Sequence, residues 1–451
     1  MPKTLAPPMR PVRLTRALDA LAARPWPALL VVLLATAFAQ ALIAPTFASW
    51  QYIRVGSTVL FSPQGLHFYA LHPEVQMGPL TLVVSAPFVL LLTGITGKGA
   101  AMVMLLVIGL FTVRELRLLL DPGDRLGQRR WLVTSAGLLI GWSVVAVHNG
   151  HVDDAFALAS SAAALRLLRN GRPEAAALAL GIGVDFKPWV LPFAAVLLVA
   201  DRRHRLAAAA VLAVTVAVAW APFFLADPHT VNVLHFRFPI DPRSTLRLLG
   251  VPDRLTPAWC RSVQFAGGVA LAALAVRRGR WPSAVLVVVA FRLLLDPGVR
   301  GYYDAGLLLG AVLVDVTAVV PVATLIVLVL VHAPQYLPLH SPTPVAIVRT
   351  IALLALVVWP LVAPQRPGHA LVAPAPALNE AAGRRTDAAP SPVRRERRSS
   401  ARPSRDAHGD SAVRPAGRWT GRRLRWARWL RLRERLPRPP YAGSSALPAR
   451  G

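Results

Sequence analysis

Asn149-Gly150-His151-Val152-Asp153-Asp154 separates two apolar runs, Trp131–Val147 and Ala155–Leu168. A short polar stretch between apolar runs of near-helical span length reads as a loop joining two membrane helices, since a crossing needs about 20 residues and fewer at functional breaks. The pattern recurs along the chain. Hydrophobic residues make up 55% and charged residues only 16%, with a mean hydropathy of +0.49. That balance belongs to membrane proteins rather than soluble domains. Only 22 acids occur in 451 residues. Two adjacent ones beside a histidine, at a membrane surface, therefore need a reason.

The topology follows from the basic residues. Met1–Arg24 carries Lys3, Arg10, Arg13, Arg16 and Arg24, which hold it on the cytoplasmic side. Pro25–Ala44 is long and not followed by a small-x-small cleavage site, so it is expected to stay as the first span. Pro45–Gly78 is then an outer loop with interface aromatics such as Trp50, Tyr52 and Phe68. Pro79–Ile95 and Gly99–Val113 are both apolar. Counted as two spans they put Arg114, Arg117, Arg125, Arg129 and Arg130 outside; the positive-inside bias favours one crossing for the pair, with Pro79–Ile95 re-entrant or juxtamembrane. Two short runs, Ala175–Val184 and Val190–Ala200, form a broken hairpin around Asp185-Phe186-Lys187-Pro188-Trp189. Beyond it come Leu206–Leu225, a long outer loop Ala226–Ser262, Val263–Val276, Pro282–Leu295, Tyr302–Asp315, Val316–His332 and Val345–Val362. The expected fold is an all-α polytopic membrane protein of about 12 transmembrane helices, in the plasma membrane, with both termini cytoplasmic. Residues 1–24 form the basic N-terminus, 25–362 the membrane domain and 363–451 a tail.

The tail holds 20 arginines against six acids, half of the net charge of +28. Rich in Pro, Ala, Ser and Arg, it has the composition of a disordered segment. Trp419, Trp426 and Leu430 share a helix face near Arg422, Arg423 and Arg433, which fits an anionic lipid surface; a tail that only adds solubility fits equally. No nucleic-acid-reading module accompanies the charge, so no nucleic-acid partner is expected. The lone Cys260 excludes an internal disulfide or a cysteine metal cluster.

Ionisable groups at membrane depth are costly and mark function. Asp153 and Asp154 come first: a carboxylate on the outer side can act as a general base on a hydroxyl, or cap the helix that begins at Ala155. His151 stands beside them. Lys187, within the broken hairpin, fits a phosphate contact or a local pair with Asp185. The outer loop keeps His235, Arg237, Arg243, Arg247, Arg254 and Arg261 against the positive-inside bias. It fits an anionic partner such as a lipid phosphate, or internal pairing with Asp227, Asp241 and Asp253. Arg292 and Asp296 have the i,i+4 spacing of an ion pair, with Tyr302 following. His72-Pro73-Glu74-Val75-Gln76 adds one more acid, Glu74, to the first outer loop. Walker-type, nucleophile-elbow and His-Glu-x-x-His motifs are absent. Two acids and one histidine are a weak metal signature, so no metal is expected.

The order of these features resembles the multispanning glycosyltransferases of the C superfamily (GT-C), above all the actinobacterial polyprenyl-phosphate-mannose-dependent type. Gly150-His151-x-Asp153-Asp154 and Lys187-Pro188-Trp189 carry the resemblance, with His72-Pro73-Glu74-x-Gln76-x-Gly78-Pro79 in support. It covers roughly Pro25–Val362. It implies transfer of a hexose, mannose above all, with inversion, from a polyprenyl-phosphate sugar to a lipid or glycan acceptor on the outer face, with no other cofactor. It also implies an aspartate base in the first outer loop. Here that region reads Pro45-Thr46-Phe47-Ala48-Ser49-Trp50-Gln51-Tyr52, without an acid, so the role falls to Asp153, Asp154 or Glu74. His72, Gln76, His151, Lys187, Trp189, His235, Arg243, Arg261, Arg292 and Tyr302 are the substrate-binding candidates. A transporter or flippase of a lipid-linked or anionic solute would use the same cations without needing a base. A structural protein that docks through its basic tail is a third reading.

Overall fold

A computed structural model describes residues 12–43, 47–92, 94–337 and 341–366. They all fall within one compact unit, Met1–Arg385. The expected basic tail lies outside them, apart from its first residues, as does the start of the N-terminal segment. The described chain is helical, with isolated bridges at Pro239–Leu255 and Ala318–Gln365 in place of any strand.

Helix α1 (Val12–Ala23) leads into α2 (Pro25–Ile43). The expected loop after α2 is largely helical, with α3 (Trp50–Leu60) and α4 (Phe68–Leu71). Then come α5 (Pro79–Leu90), α6 (Gly94–Arg117) and α7 (Arg125–Ser143), which widens into a π-helix over Val144–Asn149. Helices α8 (Val152–Arg169) and α9 (Pro173–Phe186) follow, and a 3-10 segment, Pro188–Val199, completes the broken hairpin. Pro192, inside that segment, denies it a regular α-helical hydrogen bond. Helix α10 (Arg202–Ala226) precedes the long loop, in which α11 (Asn232–His235) and α12 (Thr245–Leu248) are single turns. The last elements are α13 (Trp259–Arg277), α14 (Ala284–Leu294), α15 (Asp304–Thr317), α16 (Ala323–Ile326) with a π-helical continuation to His332, and α17 (Pro342–Val362).

Among the described residues, six helices are long and apolar enough to cross a membrane: Pro25–Ile43, Gly94–Arg117, Arg125–Asn149, Arg202–Ala226, Trp259–Arg277 and Pro342–Val362. The surfaces of α2 and α10 agree. Helix α2 buries Leu29, Leu33 and Ala37 at four-residue spacing, and exposes Leu34, Phe38 and Leu42. Helix α10 buries only Ala208 and Phe223. Bare apolar faces of this extent are unfavourable in water and suit hydrocarbon. Helix α15 is the opposite: every residue from Asp304 to Thr317 is buried. It is the centre of the packing, and its glycines let neighbours approach. An added Cβ at Gly310 would lie 2.5 Å from the main chain of Leu286 on α14.

The expected run Val316–His332 is not one helix. Helix α15 stops at Thr317, and the chain restarts after Pro321, where Asp315 accepts the main-chain N–H groups of Ala323 and Thr324, each at 2.8 Å. A carboxylate from the previous helix thus caps the next one.

Two ends of this bundle differ in charge. At one, Arg166 pairs with Glu115, Arg129 with Asp19, and Arg366 with Asp124 at 3.0 Å. Arg130 and Arg280 tie down carbonyls of Ala318 and Ala363 there. At the other end, main-chain bonds bring together Phe47 with Val147, Gly78 with Phe186, and Asp241 with Pro297. Helix α5 begins at this second end, and α6 finishes at the arginine-rich one. Gly310→Ala should push α14 and α15 apart, at a cost of about 1–3 kcal/mol. A lower melting temperature in detergent checks this. Gly99→Ala on α6, where an added Cβ meets nothing within 4 Å, should leave that temperature unchanged or raise it slightly.

Candidate functional site

The π-helix ends at Gly150, in the left-handed conformation at φ 67°. A side chain there would run into the ring of Phe47 at 2.6 Å. Phe47 is itself left-handed at φ 63°, which is uncommon for a residue with a Cβ. The strain is held by register: Phe47, Ala48 and Ser49 donate main-chain bonds to the carbonyls of Val147, His148 and Asn149, at 2.8, 3.1 and 2.8 Å. Two loops far apart in sequence are thus laid side by side.

Helix α8 starts at Val152, so Asp153 and Asp154 stand in its first turn, where the helix dipole favours carboxylates. Their side chains nonetheless turn to other elements. Asp153 places Oδ1 3.1 Å from His151 Nδ1, and Oδ2 in an ion pair with Lys187, 34 residues away. Asp154 Oδ1 accepts from the Trp189 indole at 2.9 Å; its Oδ2 lies 3.2 Å from His151 Nδ1 and 3.8 Å from Lys187 Nζ. Both aspartates are buried, at 1% and 2% exposure. Lys187 does not pair with Asp185, whose Oδ1 is buried without a hydrogen bond. The extended backbone of Lys187, at φ −149°, carries its side chain towards α8.

Around this core stand aromatic rings and a second cation. His151 stacks on Tyr302 at 3.8 Å between centroids. Arg292 lies between the rings of Trp189 (4.8 Å) and Tyr303 (4.7 Å), and pairs with Asp296 at 3.1 Å, as its i,i+4 spacing predicts. The remaining face of His151 meets Ser49, whose Oγ is 3.0 Å from Nε2.

The other candidates stand apart from this cluster. His72 pairs with Glu74 at 3.3 Å, with Glu74 exposed. Gln76 donates to the Val233 carbonyl at 3.1 Å. Arg261 gives its donors to the carbonyls of Val233, Leu234 and Phe236, and Arg243 pairs with Asp241 at 3.2 Å. Both arginines are therefore engaged in bracing the long loop. Asp227 pairs with His67 and His229 rather than with an arginine, and the His67 hydrogen bond holds its carboxyl below the usual range. His235 is exposed. Two features escape a reading of the sequence: the Ser49 contact, and a buried Asp304–His332 pair at 2.8 Å to which Gln335 also donates. Nothing near Ser49 in the sequence signals its partner; Asp304 and His332 are visible only as polar residues within apolar runs.

His151, Asp153 and Asp154 present ligand atoms within 4.8 Å of one another, close enough to converge on a cation. Here the Lys187 ammonium bonds that carboxylate pair and supplies the positive charge. No family model, curated protein or solved structure matches the chain. Lys187→Met should leave two buried carboxylates without their main counter-charge, a loss of about 3–5 kcal/mol. A large drop in the melting temperature of the purified protein would show it. Adding Asp153→Asn to the same variant should recover part of the loss.

Proposed function

We propose that the protein is a membrane glycosyltransferase that moves a hexose, mannose above all, from a polyprenyl-phosphate sugar to a lipid or glycan acceptor. One observation carries this reading: the two motifs behind the GT-C resemblance, Gly150–Asp154 and Lys187–Trp189, meet in one buried cluster through Lys187–Asp153 and Trp189–Asp154. The arginine-rich end is assigned to the cytoplasm and the cluster to the outer face, by the positive-inside bias. Counting α5 with α6 as one crossing, and α9 and its 3-10 partner as two short ones, gives about twelve passes with both termini inside.

The base is placed at His151 rather than at Asp153, Asp154 or Glu74. Each aspartate already holds its oxygens against His151, Lys187 or Trp189, whereas Nε2 of His151 meets the Ser49 hydroxyl, whose place an acceptor hydroxyl can take. With two carboxylate oxygens at Nδ1, the imidazole proton is fixed there, and Nε2 is left to accept. The acceptor hydroxyl gives its proton to Nε2 as its oxygen attacks C1 of the sugar. The C1–O bond to phosphate breaks with inversion, and the lipid phosphate departs. Lys187 and Arg292 are the cations placed to balance its charge.

Membranes expressing the chain should transfer radiolabelled mannose from polyprenyl-phosphate-mannose to lipid or glycan. His151→Asn should lower that transfer by about 100-fold or more at equal expression. Binding of the labelled donor by wild type with no transfer would instead favour a transporter or flippase. The orientation has its own check. A cysteine replacing Asp253 should react with an impermeant maleimide from outside, and one replacing Arg203 only after permeabilisation. Both sites are exposed, while Cys260 is fully buried and adds no background.

A further inference from the structure

The Ser49–His151–Asp153 arrangement has the geometry for a second reaction, one that would draw on the same His151 as sugar transfer. Ser49 Oγ stands 3.0 Å from His151 Nε2, and His151 Nδ1 stands 3.1 Å from Asp153 Oδ1. That is the order and spacing of an activated hydroxyl, its base, and the acid that fixes the base's tautomer. Exposure falls along the series as such chemistry requires. Ser49 is partly open, the His151 side chain is 12% exposed, and Asp153 is sealed at 1%.

An ordinary structural role accounts for this poorly. Ser49 is the N-cap residue of α3, yet its side chain makes no capping bond and turns to His151 instead. The turn that aims it is over-determined, by the three main-chain bonds to 147–149 and by the strained Phe47 seated on Gly150. Backbone strain held by surrounding structure, two residues from a reactive side chain, suits a positioned nucleophile.

We infer that Ser49 is a nucleophile for acyl transfer, with an acyl ester of lipid type as its substrate class. The exposed apolar face of α2, Leu34, Phe38 and Leu42, suits contact with the acyl chains of the bilayer from which such an ester would come. In the step, Ser49 Oγ bonds to the ester carbonyl carbon and its proton passes to His151 Nε2. The tetrahedral intermediate collapses, the C–O bond to the alcohol breaks, and the proton leaves on that alcohol. Water or a second hydroxyl then takes the acyl group from Ser49 by the same route in reverse.

The test uses the full-length protein in nanodiscs and a fluorophosphonate bearing an alkyl chain. Wild type should form a covalent adduct, located at Ser49 by peptide mass spectrometry. Ser49→Ala should form none there, and His151→Asn should label about 100-fold more slowly. Because His151→Asn also disturbs Asp153, a second variant keeps the site intact. Ser49→Cys alters one atom, and its thiol should be alkylated by iodoacetamide at pH 6.5 about tenfold faster than a free peptide thiol. No adduct at Ser49 in wild type overturns the assignment. So does labelling at an unchanged rate in His151→Asn, or a thiol in Ser49→Cys that reacts no faster than the free peptide. Mannose transfer with Ser49 unlabelled would leave the glycosyltransferase reading standing and remove this one; an adduct without transfer would do the reverse.

Discussion

The ion pair between Lys187 and Asp153 is the constraint on which the site depends. Two charges taken from water into a helical bundle are unfavourable unless each finds the other and its remaining bonds are met. Lys187 meets Asp153 and the nearby Asp154; Asp153 meets Lys187 and His151. The break between α9 and its 3-10 partner exists where that lysine must leave the hairpin and reach α8. The indole of Trp189 follows two residues later onto Asp154, and its ring also receives Arg292. Hairpin, α8 and α14 are thus joined through a few polar contacts rather than through apolar packing alone.

Much of the architecture was legible because apolar runs announce themselves. Pro25–Ile43, Arg202–Ala226 and Pro342–Val362 fall close to where hydropathy places them. The break after Thr317 was also written in the chain, at Pro321, but an apolar run on both sides of that proline hides it. Pro45–Gly78 reads as an outer loop with interface aromatics, yet α3 folds there against α5.

The site was legible in part. His151, Asp153, Asp154, Lys187 and Trp189 stand out as polar residues in apolar surroundings, and they come together. Their partners did not stand out. Asp185 is the acid nearest to Lys187 in sequence, but the residue between them ends a helix, and the chain turns extended at Lys187. Ser49 is an ordinary serine in sequence. Its meaning comes from a main-chain register with residues about a hundred positions away, and spacing along one chain does not encode such a register.

The shortness of α9 reaches beyond the site itself. Its 14 residues rise about 21 Å, against a hydrocarbon layer of about 30 Å. A helix that starts at one headgroup layer and ends after two-thirds of that thickness leaves its polar terminus sunken, or draws the lipid surface down to meet it. On the proposed topology Lys187 and its neighbours would then be within reach of a molecule diffusing sideways in the bilayer, without its first leaving for water.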